Sequence, residues 1–105
     1  MPTSIFQEIE DLHTQCAAMD KTTRLVWLME KRMRLNQLAG QLALHVRAVG
    51  GIMNAAERKC AHDLLTMIQE VDAKGANTVN ELQNEALNGL RREVINELTR
   101  FLICN

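Results

Sequence analysis

Residues 22–49, TTRLVWLMEKRMRLNQLAGQLALHVRAV, run without a proline, are interrupted by a single glycine and end against the pair Gly50 and Gly51. As one helix this stretch would be about 40 Å long, at a rise of about 1.5 Å per residue. In a chain of 105 residues, an element of that length dictates the architecture, because everything else has to pack along it. Leu28, Leu35, Leu42 and Val49 recur every seven residues, with Leu38, Ala39 and Val46 between them. At about 100° per residue they share one arc of about 100°. Val26, Met29, Met33, Gly40 and Leu44 form a second apolar group on a different side. A surface helix normally carries one apolar stripe, so two predict a helix sandwiched between partners. A glycine inside a helix costs about 1 kcal/mol relative to alanine, so Gly40 on the second side predicts a close backbone approach.

The apolar residues are chiefly Leu, Ala, Met, Ile and Val, with two Phe, one Trp and no Tyr, and the single proline is Pro2. That set favours helices over strands. Upstream of the long stretch, Ile5, Ile9, Leu12, Cys16 and Met19 form a one-sided stripe, and Thr3 or Ser4 can cap it. Cap-type residues around Asp20 to Thr23 predict a break there. Downstream, Gly50 and Gly51 supply a left-handed stop. Asn54 and Glu57 then have capping-box spacing ahead of a stripe of Cys60, Leu64, Met67, Ile68 and Val71, with Arg58, Lys59, Asp63 and Glu70 expected to face water. Thr78 and Glu81 make another capping box, followed by Leu87, Leu90, Val94, Leu98, Phe101 and Leu102. The expected fold is all-α: an elongated bundle of four helices, about 3–19, 22–49, 54–74 and 78–103, around a long central second helix, with residues 1–105 forming one domain. A helix of about 40 Å should overhang a compact body of this size, whose radius of gyration would be near 13 Å.

The formal net charge is −1, which argues against a generic polyanion binder. The distribution is uneven. Residues 1–20 carry Glu8, Glu10, Asp11 and Asp20 and no Lys or Arg, whereas residues 21–47 carry Lys21, Arg24, Lys31, Arg32, Arg34 and Arg47 against Glu30. An acidic first segment beside a basic second one predicts that the two pack together. Cys16, Cys60 and Cys104 are odd in number and widely spaced, so no disulfide framework is expected. A polar, acidic start predicts no signal peptide, and no apolar run approaches the roughly 20 residues that span a bilayer. A reducing, cytoplasmic setting is the expectation, with no membrane association.

Little in the sequence points to chemistry. His13 and Cys16 share a helical face, and Glu10 with His13 matches the Glu-x-x-His pattern of di-iron bundles. Neither pair has the further ligands such sites require, since His45 and His62 lack a Glu three residues before them. No nucleophile elbow or phosphate loop is present. No catalytic residue, metal or cofactor is therefore expected. Association with proteins has positive support. Trp27, Met29, Lys31, Met33 and Arg34 are the expected partner-binding residues, because Trp and Arg anchor interfaces and Met adapts to them. Leu28, Leu35, Leu42 and Val49 are expected to form a two-fold homodimer interface. The functional expectation is a small non-enzymatic binding module, an adaptor, chaperone-like or inhibitory protein that masks a partner. The alternative is a small DNA-binding regulator using Lys31, Arg32 and Arg34 on the basic side of the long helix.

Overall fold

The computed structural model describes residues 4–73 and 85–104, and every regular element among them is helical: α1 (Ile5–Ala17), α2 (Lys21–Ala48), α3 (Ala55–Ala73) and α4 (Glu85–Cys104). The all-α bundle read from the composition is thus the fold. The capping box at Thr78 and Glu81, the start expected for the last helix, lies outside the described residues.

Local chemistry sets each described boundary. Ser4 caps α1 by accepting from the Gln7 N–H at 3.1 Å. The break near residue 20 is a true turn: Asp20 caps α2, its Oδ1 accepting from the Thr23 N–H at 2.8 Å. At the far end Gly50 and Gly51 adopt φ of 77° and 81°. The Gly50 N–H reaches the Arg47 carbonyl and the Gly51 N–H the Val46 carbonyl, the two bonds of a Schellman cap. The box at the start of α3 is reciprocal. The Glu57 N–H donates to Asn54 Oδ1 at 2.8 Å, and the Asn54 N–H donates to Glu57 Oε1 at 2.9 Å.

Helices α2 and α3 form the central pair. α1 and α4 each touch both of them and do not touch each other among the described residues. Ion pairs fix the directions. His45 meets Glu57 near one end of α2 and Arg24 meets Glu70 near the other, so α2 and α3 are antiparallel. α4 brings its last turns to the α2–α3 turn, where Phe101 lies beside Gly51 and the Leu102 carbonyl accepts from Arg58 Nη2. One core fills the centre, built from Ile9, Leu12 and Cys16 of α1, the Leu28–Leu35–Leu42 line of α2, Leu64, Met67 and Val71 of α3, and Leu98 of α4.

The body measures 37 × 33 × 29 Å with a radius of gyration of 13.8 Å, so the expectation of an elongated, overhanging outline is corrected. The reason lies in the neighbours of α2. They engage it from Arg24 at one end to Arg47 and Gly51 at the other, leaving no length unsupported. A second correction concerns α3. Arg58, Asp63 and Glu70 do not simply face water; they are partly buried and bonded, to the Leu102 carbonyl, to Lys59 and to Arg24 respectively.

Candidate functional site

Because α3, α1 and α4 occupy three sides of α2, the helix keeps one side for solvent. Leu28, Leu35, Leu38, Ala39, Leu42, Ala43 and Val46 are all buried on the inner side. Opposite them, Val26 is 56% exposed, Met29 52%, Met33 75% and Leu44 62%. Residues 26, 29, 33, 37, 40, 44 and 48 follow the 3.6-residue period, so these side chains line up as a straight strip. From Val26 to Leu44 the strip is about 27 Å long. Gln37 and Gly40 fall between the apolar residues, and Glu30 and Gln41 border one edge by helical phase.

This placement reverses one expectation. Leu28, Leu35 and Leu42 are fully buried in their own chain, packed against the other helices, so they are closed to a second copy. Val49 is half exposed, but it sits at the C-cap of α2, away from the strip. The second apolar group is the one left open. Both groups were legible in the sequence; the choice between them depends on where α3 and α4 dock.

The expected partner-binding residues divide. Met29 and Met33 lie on the open strip. Trp27 is half-buried and packs against the edge of the core, so it closes the chain's own interior instead of presenting an anchor. Lys31 is exposed but points to another side of α2 by helical phase. Arg34 is engaged within the chain. Its Nε and Nη2 each donate to a Glu8 carboxylate oxygen at 2.6 Å, and its Nη1 donates to Gln37 Oε1 at 3.2 Å. That bond holds the Glu8 carboxyl below the usual glutamate value and raises the Arg34 guanidinium.

Arg34 is one of three arginines on α2 used in this way. Arg24 bonds Glu70 of α3 at 2.7 Å, Arg34 bonds Glu8 of α1, and Arg47 bonds Glu97 of α4 at 2.8 Å. Each neighbouring helix thus receives one arginine from the central one. The acidic-against-basic pairing expected between the first two segments is the Glu8–Arg34 contact. The arginine pattern across all three neighbours had no local signal, since the pairs are separated by 26, 46 and 50 residues.

The titratable side chains give little to build chemistry from. Burial raises the thiols of Cys16 and Cys60, which keeps them protonated and weakly nucleophilic. His13 approaches Asp63 at 3.7 Å and His45 bonds Glu57 at 2.8 Å while stacking edge-on against Phe6. Among the described residues no three His, Cys, Asp or Glu side chains converge as metal ligands would, and no helix is long and apolar enough to cross a membrane. An open groove between α2 and α4, lined by Arg47, Glu93, Val94, Asn96, Glu97 and Arg100, mixes both charges and has no buried floor of polar groups. No family model, curated protein or solved structure matches this chain.

Proposed function

We infer that the chain is a small non-enzymatic binding module that acts by covering an apolar surface of a protein partner with the outward strip of α2. One observation carries this reading: four large apolar side chains stand exposed in a line on the side of α2 opposite a fully formed core. Exposed apolar residues scattered singly are ordinary, but four aligned on one face of the longest helix have a solvation cost that association removes. Two of the four are methionines, whose flexible thioethers adapt to differently shaped partners. A partner helix laid along the strip would use spacings of three and four residues, as helix-in-groove recognition does.

The DNA-regulator alternative has less to draw on. Its arginine at position 34 is already bonded to Glu8, and phosphate binding would have to displace a bidentate carboxylate. The experiment compares affinity capture from the native host by wild type, Met33→Glu with Leu44→Glu, and Lys31→Glu. Specific proteins retained by wild type and Lys31→Glu but lost from the double variant are expected. Retention that is indifferent to the strip overturns the reading, and salt-sensitive DNA retention lost with Lys31→Glu transfers it to the alternative.

A further inference from the structure

The described methionines divide sharply by exposure. Met53 and Met67 are buried in the core and Met19 is half-buried, whereas Met29 and Met33 stand 52% and 75% exposed. The exposed two are four residues apart, about one helical turn, and so lie side by side on the outward strip of α2. A thioether is an apolar group that a peroxide makes polar: the sulfur gains an oxygen, and a flexible apolar side chain becomes a polar sulfoxide. The described thiols compete poorly for the same oxidant. Cys16 is buried and Cys60 half-buried, and burial raises both thiols, which holds them in the less reactive protonated form.

We propose that Met29 and Met33 form a reversible oxidation site, at which a peroxide converts the outward strip of α2 from apolar to polar while the fold stays intact. The sulfur lone pair attacks one peroxide oxygen, the O–O bond breaks and the S–O bond of the sulfoxide forms. The departing hydroxide takes the proton of the transferred oxygen and leaves as water, so the sulfur loses the two electrons that the peroxide gains. A dithiol working through a sulfoxide reductase reverses the step: the oxygen leaves as water and the two thiols join as a disulfide. Placement gives the reaction its effect. With both methionines oxidised, Val26 and Leu44 are what remains of the four exposed apolar side chains, and about 27 Å of helix separates them. Two apolar residues standing singly are ordinary protein surface. The same oxygen on Met67, which is 1% exposed, would enter the packed interior and break it open. Met29 and Met33 are outside the core cluster, so their oxidation is a surface event. Its consequence, release of a protein partner, rests on the association reading above; the selective oxidation does not.

The test treats the folded chain with hydrogen peroxide and follows the sulfoxide at each methionine by peptide mass spectrometry. Retention on a hydrophobic-interaction column and urea unfolding are measured on the same samples. Met33 and Met29 are expected to oxidise roughly tenfold faster than Met53 and Met67, in step with exposure. Retention should fall as they do, the unfolding midpoint should hold, and dithiothreitol with sulfoxide reductases for both epimers should restore the original retention. Met29→Leu with Met33→Leu keeps the strip apolar without its sulfurs and should hold its retention through the same treatment. Equal rates at exposed and buried methionines would overturn the proposal. So would an unfolding midpoint that drops with Met33 oxidation, or retention that falls as far in the double variant. These readouts use the isolated chain, so they fail or succeed independently of the host-capture comparison. As baits, peroxide-treated wild type should lose proteins that the treated leucine variant retains, and equal retention by the two would overturn the consequence for association.

Discussion

Gly40 and Gly51 are both glycines, yet they are held by different physics. Gly51 has φ of 81°, and its Cβ position lies 3.3 Å from Phe101 Cε1. An L side chain is strained there and would also press on α4, so Gly51→Ala is expected to destabilise the monomer by about 1–2 kcal/mol. At Gly40 no described atom lies within 4 Å of a Cβ position, so Gly40→Ala should stabilise the monomer by up to about 1 kcal/mol. Urea unfolding at low protein concentration measures both, and equal signs for the two would contradict this assignment. Acid sensitivity is also a residue-scale property. Glu8, Glu57 and Asp20 all titrate below their ordinary values, chiefly through bonds to Arg34, to the Asn54 N–H and to the Thr23 N–H respectively. A folded-state value lower than the unfolded one adds stability at neutral pH that disappears as pH falls through the lowered value. Melting temperature should therefore hold from neutrality to about pH 4.5 and fall below it. Glu8→Gln should lower stability by roughly 0.5–1 kcal/mol at pH 7, because the pair is partly solvated, and the difference should shrink as pH falls through the lowered Glu8 value.

At the scale of elements, α2 is defined by the contrast between its two apolar sides. Leu35→Ala opens a cavity in a fully packed site and is expected to cost about 2–5 kcal/mol. Met33→Ala, two residues away, should change monomer stability by less than about 0.5 kcal/mol. Thermal and denaturant unfolding of the two variants gives the comparison directly. Much of this element's anatomy was legible before the fold was known. The cap at Asp20, the stop at Gly50 and Gly51, the box at Asn54 and both apolar groups follow from short-range rules about backbone geometry and periodicity. What was not legible is which group faces inward. Leu28–Leu35–Leu42 and Val26–Met29–Met33–Leu44 are both apolar at helical spacing, and nothing local ranks them. The decision is made by α3 and α4, docked on the leucine side and tied by Glu70 and Glu97 to arginines of α2. Trp27 depends on the same decision: its phase places it at the edge of the polar side, and its packing against the core covers part of that edge.

At the scale of the whole molecule, the long helix acts as a wall with a finished interior on one side and an unfinished surface on the other. Its arginines hold the bundle together, one to each neighbour, which removes most of the basic side from use by an external polyanion. Its methionines and Leu44 remain outside. The claim that this outer strip is an association surface is tested most directly by affinity capture from the native host with wild type and Met33→Glu as baits. Wild type is expected to retain specific proteins, further copies of this chain included, that Met33→Glu loses while its unfolding stability stays unchanged. Retention that Met33→Glu leaves intact, or a wild type that retains nothing specific, would contradict it.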